Sequence, residues 1–240
     1  MNKVVLIIQA RMGSSRLPGK SMLELAGIPL IFQIFERVKR VIGVSDIVFA
    51  TSKDHSDDII EKSCIERGIN VFRGSENNLV DRYYNCAKAH NADTILRLPA
   101  DNPCPEPSEY DRIIDYHLAS NNDFSSNICN FMGNEYPDGI GVEVFNFSVL
   151  QKLKKSNLNS EQKEHIALNF YDYLNDKHPY PPIFRVGTIK CPAHFSRTDI
   201  NLDINTKEDY LFVRKLYEDL YSSKNNFSFI DVIKWYDKNM

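Results

Sequence analysis

The 240-residue chain has no apolar run near the roughly 20 residues of a membrane-spanning helix, and its first hydrophobic stretch, Val4 to Ile8, is too short for a signal-peptide core. Basic charge is not in excess. The 29 Lys and Arg stand against 32 Asp and Glu, a formal net charge of -3, which argues against a protein-wide basic face tracking a nucleic-acid backbone. A C-x-x-C pair is missing, and the five cysteines, Cys64, Cys86, Cys104, Cys129 and Cys191, are odd in number and widely spaced. They read as reduced thiols of a cytoplasmic protein, not as a disulfide framework or a zinc site. Low-complexity tracts, internal repeats and long linkers are also lacking. With 10 Gly, 11 Pro, 42% hydrophobic and 25% charged residues, the collagen-like, coiled-coil and disordered classes fall away. One large globular domain, or one domain with an excursion, is left.

What is present is an alternation of strands and helices. Val4 to Ile8 is a continuous aliphatic run, the mark of a strand covered on both faces in a parallel sheet. A glycine-bearing loop follows; Pro29 suits a first helical turn, and Ile31, Ile34, Phe35, Val38 and Ile42 recur at helical spacing up to Gly43. Asp46 to Thr51 predicts a second strand, and Ser56-Asp57-Asp58 opens a helix that stops at Gly68. A third strand (Asn70 to Phe72), a helix (Leu79 to Ala89), a fourth strand (Asp93 to Leu98) and a helix from Pro107 to Ser120 complete the series. This rhythm predicts an α/β fold, a Rossmann-like, mostly parallel sheet with helices on both faces. Beyond Ser120 it loosens into a small α+β excursion: turn-rich Asn121 to Gly141, a strand from Val142 to Phe147, and a helix around Glu161 to Leu174. Pro179, Pro181 and Pro182 mark the far edge of the excursion, and Ile183 to Val186 returns to strand. Arg197 to Asn205 then leads into a helix with Leu211, Val213 and Leu216 on its inner side. The expected organisation is a single domain over 1–240, with a scaffold at 1–120, an excursion at 121–182 and a closing segment at 183–240.

In open α/β sheets, ligands bind beyond the carboxyl ends of the strands, here the loops after the first and fourth strands. The first loop, Gln9 to Lys20, holds Arg11, Arg16 and Lys20 together with Gly13, Gly19, Ser14 and Ser15. Glycines let backbone N–H groups reach phosphate oxygens, guanidinium forks bind them in pairs and an ammonium adds a point charge, so the inventory suits a polyphosphate. It is not a P-loop. Five residues instead of four separate Gly13 from Gly19, Pro18 removes an N–H, and Gly27 and Pro29 interrupt any long helix beginning at Lys20. The second loop sets Asp101 directly after a buried strand, where a carboxylate needs a cation or hydrogen-bond donors. Magnesium bridging nucleotide phosphates is one such partner, and capping the next helix is the other reading. The second metal carboxylate we choose is apolar-flanked Asp203; Asp199, two strand repeats earlier on the same face, is its rival, and Asp203 could equally cap the helix near Thr206.

Taken together, IIQARMGSSRLPGK resembles the N-terminal signature of the cytidylyltransferases that activate acidic sugars, nearest to the CMP-Kdo synthetase-like, SpsF-type group of bacterial polysaccharide synthesis. SENNLVDRYYNCAKAH from Ser75, LRLPADNP from Leu96, YPDGIGVEVFNF from Tyr136, EHIALNFY from Glu164 and RTDINLDINTKEDY from Arg197 follow in order. The resemblance thus covers nearly the whole chain. It implies a nucleotide-diphospho-sugar transferase type of fold, CTP and a small sugar as substrates, Mg²⁺ as cofactor, pyrophosphate release and a homodimer. It implies that Gln9, Ala10 and Arg11 line the nucleotide, that Gly13, Ser14, Ser15 and Arg16 wrap the triphosphate, and that Lys20 neutralises it, with Arg97 and Pro99 alongside. Asp101 and Asp203 would hold the metal, and Arg11, Lys20 and Asp101 would carry the chemistry.

Asp81, Arg82, Glu143, Glu164, His165 and Arg197 fall near the acceptor by the same resemblance. Simpler readings stand beside it: a local ion pair for Asp81 and Arg82, and a first-turn acid next to a packed imidazole for Glu164 and His165. Two departures from the pattern are visible. Ala100 stands where glycine usually precedes the loop aspartate, and the expected Gly-Leu-Asp-Val-Glu reads Gly139-Ile140-Gly141-Val142-Glu143, so the missing acid points to an altered acceptor pocket. A nucleotide-sugar-dependent glycosyltransferase is the main rival, but it calls for an acid-x-acid motif, and Asp101 is followed by Asn102 and Pro103. A non-catalytic nucleotide-binding homologue is the second rival; the presence of Lys20, Asp101 and Asp203 argues against it.

Overall fold

Strand β1 (Val4–Gln9) is buried almost end to end, and its side-chain alternation divides the molecule: Val4, Leu6 and Ile8 face one apolar layer, Val5 and Ile7 the other. In the computed structural model, which describes residues 2–129, 131–172 and 183–240, β1 lies inside a seven-stranded sheet. A small hairpin, β2 (Glu24–Leu25) and β3 (Ile28–Pro29), leads into α1 (Leu30–Val38). Then come β4 (Asp46–Ser52), α2 (Asp58–Glu66), β5 (Asn70–Gly74), α3 (Leu79–Ala89), β6 (Thr94–Pro99) and α4 (Pro107–Ala119). Strands β5, β4, β1 and β6 run parallel in that spatial order. The chain leaves β1 on one side for β4 and β5 and returns on the other for β6, so the direction of winding reverses between β1 and β6. Their carboxyl ends meet where Gln9 pairs with Pro99, the place such sheets use for ligands.

The excursion stays within the same sheet. Strands β7 (Phe124–Ser126) and β8 (Glu143–Asn146) join antiparallel to each other, β8 also pairs antiparallel with β6, and β9 (Val186–Gly187) runs parallel to β7. Helices α5 (Phe147–Lys155), α6 (Ser160–Glu164), α7 (Lys207–Tyr221) and α8 (Phe229–Asn239) complete the described elements. One layer gathers residues of α1, α4, α7 and α8, including Ile34, Ile113, Val213 and Val232. The opposite layer gathers Leu79, Tyr83, Val149 and Leu150 of α3 and α5 with an aromatic stack in which Phe124 and Phe170 lie 4.4 Å apart.

Several expectations need correction. Helix α1 ends at Val38, well before Gly43; Ile42 is 89% exposed, and its N–H and that of Gly43 donate to the Asp111 carboxylate (2.9 and 2.8 Å), which replaces further helical bonds. The strand expected to reach Phe147 stops at Asn146, and Phe147 opens α5. The long helix around Glu161 to Leu174 is short α6 followed by a 3₁₀ turn at Ile166–Asn169. Leu174, Pro179, Pro181 and Pro182 lie outside the described residues. Ile183 is exposed and precedes β9, which has only two residues. On α7, Val213 and Leu216 are buried as expected, whereas Leu211 faces solvent.

Candidate active site

The loop after β1 is folded around the peptide of Met12. Its carbonyl accepts from Ser14 N (2.9 Å) and Gly19 N (3.0 Å), and its N–H donates to Asp57 Oδ1 (2.7 Å). Ser21 Oγ donates to the Arg11 carbonyl (2.9 Å). Gly19 adopts φ +75°, a left-handed conformation that lets the chain turn sharply into Lys20. The loop after β6 is tied to the first by Ala100 N donating to the Gln9 carbonyl (2.9 Å).

A cavity of about 600 Å³ opens over these strand ends. Gln9, Arg11, Ser14, Ser15, Arg16 and Lys20 line it from the first loop, Arg97, Pro99 and Asp101 from β6 and its loop, Glu143 and His165 from the excursion, and Asp203 from the closing segment. Other residues singled out in the sequence stand outside it. Ala10 is buried beneath the loop and Gly13 is not part of the lining. Asp81 pairs with Lys154. Arg82 is buried and donates to the carbonyls of Ser75 (2.8 Å) and Glu76 (3.0 Å). Glu164 meets Arg11 across 3.5 Å, both half exposed. Arg197 is held on the surface between Asp199 (2.8 Å) and Asp237 (2.7 Å). That clasp keeps Asp199 at the surface, with its carboxyl below the usual range because of the Arg197 hydrogen bonds. Asp203, by contrast, lines the cavity.

Charge is arranged in opposed groups. Lys20 Nζ donates to Asp101 Oδ2 (3.0 Å) and to the Ile204 carbonyl (2.8 Å), and Arg16 Nη2 donates to Asn205 Oδ1 (2.7 Å), so the cationic loop rests on the closing segment. At the cavity floor Arg97 Nη1 donates to Glu143 Oε2 (2.6 Å) and Nη2 to Gln9 Oε1 (3.4 Å). The sequence reading missed one acid, Asp138. It lines the cavity, adjoins Asp203, and is pushed up chiefly by burial and also by the Asp101 charge. Asp203 is driven up further, first by burial and then by Asp138 and Asp101. Asp138 lies within the YPDGIGVEVFNF stretch that carries the resemblance, but locally its Pro137-Asp138-Gly139 context reads as no more than a turn. Its placement depends on Gly139, φ +86°, whose absent Cβ would stand 2.8 Å from Leu202 Cβ, so the turn lies flush against the closing segment.

The missing acid at Gly141 also has a steric cause. A Cβ there would sit 2.2 Å from the Asn127 carbonyl oxygen.

Residues 5–230 match the family described as cytidylyltransferase. The chain belongs to the cytidylyltransferase family. The Bacillus subtilis spore coat polysaccharide biosynthesis protein SpsF is 34% identical over 223 residues, 91% of this chain and 88% of that protein. The 3-deoxy-manno-octulosonate cytidylyltransferase of Escherichia coli is 32% identical over 121 residues, 48% of this chain and 46% of that protein. Among solved structures, a cytidylyltransferase from Leptospira borgpetersenii superposes with a TM-score of 0.86 at 29% identity, covering 100% of this chain and 95% of that one. This cytidylyltransferase is a CTP-dependent nucleotidyltransferase with the Rossmann-like, mostly parallel sheet read from its sequence. Among the described residues no helix is long and apolar enough to cross a membrane.

The donor set of the cytidylyltransferase cavity fits a hard divalent cation. Asp203 Oδ1 is buried without a hydrogen-bond partner, and the Lys20 ammonium rests against Asp101 as a stand-in for positive charge. Among the described residues no three His, Cys, Asp or Glu side chains converge as a closed metal cage. One or two carboxylates, with phosphate oxygens and water completing the shell, is the arrangement that suits Mg²⁺. Cys129 lines the same cavity, but burial pushes its thiol up to about 11, so it is no thiolate nucleophile at neutral pH.

Proposed function

We propose that this cytidylyltransferase transfers CMP from CTP to a small sugar, an acidic sugar or a sugar phosphate, with Mg²⁺ held by Asp101 and Asp203, for surface polysaccharide or glycan assembly. The observation that carries the reading is the cavity itself, where Arg11, Arg16 and Lys20 face Asp101 and Asp203 over the ends of β1 and β6. The acceptor oxygen attacks the α-phosphorus in line, forming the new O–P bond as the bond to the β-phosphate breaks. Pyrophosphate leaves, and the proton of a hydroxyl acceptor passes to solvent. When bound, the cation offsets phosphate charge and stabilises the leaving pyrophosphate. Arg11 and Arg16 hold phosphate oxygens in their forks, Lys20 leaves Asp101 for the triphosphate, and Ser14 and Ser15 supply hydroxyl donors. Gln9, Arg97 and Pro99 flank the nucleotide. Positioning and charge carry the catalysis, in keeping with a cavity whose described lining holds no activated nucleophile.

The acceptor belongs at the excursion side, beside Glu143 and His165. The partial likeness to a 3-deoxy-manno-octulosonate enzyme supports an acidic sugar, and the likeness to SpsF supports polysaccharide synthesis as the destination. The reading includes a homodimer built through residues 121–182, which sedimentation at micromolar protein concentration tests directly. The decisive experiment is a pyrophosphate-release screen of four nucleoside triphosphates against acidic sugars and sugar phosphates. Release with CTP, Mg²⁺ and one such acceptor is expected. Asp101→Ala should lower turnover by about 100-fold or more. Wild-type rates in that variant, or release of a nucleoside diphosphate from a nucleotide sugar instead, would overturn the proposal.

A further inference from the structure

Asp57 stands at the N-terminal boundary of α2 without capping it. An aspartate there ordinarily accepts from the first N–H groups of its own helix. Here α2 receives no such bond, and the preceding turn is capped by Asp54, whose Oδ1 accepts from Ser56 N (2.8 Å) and Ser56 Oγ (2.6 Å). The Asp57 carboxylate is only 1% exposed and is turned to other partners. Its Oδ2 accepts from Ser52 N (3.0 Å) and Ser52 Oγ (2.6 Å) at the end of β4, and its Oδ1 accepts from Met12 N (2.7 Å), 45 residues away in the sequence. Three donors, with the buried Arg82 guanidinium close enough for the opposite charges to attract, meet the needs of a carboxylate taken out of water.

We propose that Asp57 is a positioning residue for the triphosphate: by holding the Met12 peptide it sets the orientation of the loop residues that face CTP. The inference rests on the cytidylyl-transfer reading and deepens it. Met12 is the hub of the loop. Its N–H is committed to Asp57, and its carbonyl to Ser14 N and Gly19 N. The adjoining Arg11 carbonyl is fixed by Ser21 Oγ. From this frame Arg11, Ser14, Ser15, Arg16 and Lys20 reach the cavity, whereas Asp57 itself does not line it. Phosphate oxygens are read by donor geometry, and a displacement of about 1 Å in such a frame costs on the order of 100-fold in rate.

The test compares two variants that touch the same carboxylate. Asp57→Asn keeps the shape but has one carbonyl oxygen; the two donors of Ser52 hold that oxygen, which turns the amide nitrogen toward Met12 N–H and removes the Met12 bond. Ser52→Ala removes a partner of Oδ2 and leaves the Met12 bond in place. Calorimetric titration with CTP and Mg²⁺ should show Kd raised about 10- to 100-fold in Asp57→Asn and changed less than about threefold in Ser52→Ala. In steady state the KM for CTP should rise in Asp57→Asn while the KM for the acceptor stays within about twofold. Wild-type CTP affinity in Asp57→Asn, or an equal loss in both variants, overturns the inference. Should Asp57→Asn fail to fold, amide exchange in the wild-type protein decides: slow exchange at Met12 N–H in the free enzyme, unchanged by CTP, is expected, and fast exchange that slows only with CTP refutes it. Titrating the wild-type protein with four nucleoside triphosphates separates this from the function itself. Failure of CTP alone overturns the cytidylyl reading, and the variants are then compared on the triphosphate that binds. Failure of all four overturns both.

Discussion

Lys20 and Asp203 face the same problem from opposite sides. The ammonium satisfies Asp101 and the Ile204 carbonyl, but Asp203 keeps a buried oxygen with no partner. Burial, then the charges of Asp138 and Asp101, push Asp203 up to about 8. An unfolded chain would release that proton near its ordinary value of 3.8. The metal-free folded protein therefore binds more protons than the unfolded chain between these values. This contribution to stability is complete below the unfolded value and is lost as pH rises through about 8. The melting temperature of metal-free protein should accordingly fall between about pH 5 and about pH 8.5, and Mg²⁺ should reverse the fall at the upper end. Asp203→Asn should flatten the pH dependence and raise stability at the upper end while abolishing turnover, as expected where an acid is kept for function at the expense of the fold. Calorimetric melting of both proteins across that range checks this; parallel pH slopes would remove Asp203 from the account.

At the scale of elements, the glycines of the Gly139–Gly141 stretch show how tightly the acceptor side is built. Gly141 packs against the Asn127 backbone, and Val142 N donates to Asn127 Oδ1 (2.8 Å), so β8 is clamped to the end of β7. Gly141→Ala should lower unfolding stability by about 1–3 kcal/mol or more, because the atom it strikes is backbone and cannot rotate away. Urea denaturation checks this, and an unchanged midpoint would refute the packing. Restoring an aspartate at that position should fail for the same reason and create no acceptor contact.

Helix α3 was legible in the sequence to its ends, because Asn78 accepts from Asp81 N (2.9 Å) as a cap and the apolar spacing of Leu79, Val80, Tyr83 and Cys86 is clear. Strand β1 was legible because both of its faces are buried. Strand β7 is not legible, since three residues among turn formers carry too little pattern, and α8 carries no motif that ties it to the site. Asp138 was hidden in a Pro-Asp-Gly turn whose value lies in contact with Leu202 and Asp203, a long-range fact that local spacing does not contain. Ile42 and Leu211 show that helical periodicity does not by itself imply burial: one lies past the helix end and the other faces water.

For the molecule as a whole, the cavity takes its walls from the first loop, β6, the excursion and the closing segment, so ligand binding spans most of the chain. A ligand that binds only this assembled state stabilises all of it. At roughly 100 times its Kd a ligand adds about 2.7 kcal/mol, which for a domain of this size corresponds to a rise of about 5–10 °C in melting temperature. We expect a rise of that size from CTP with Mg²⁺ and a smaller one from CTP with Asp101→Ala. Salt distinguishes the cause. Although the net charge is -3, Arg11, Arg16 and Lys20 present a concentrated cationic face to a polyanion. Raising salt from about 0.1 M to about 1 M shortens the screening length from about 10 Å to about 3 Å, so at fixed CTP the melting shift should shrink markedly. A shift that is absent at saturating CTP, or equally large at both salt concentrations, would show that this loop does not seat the triphosphate.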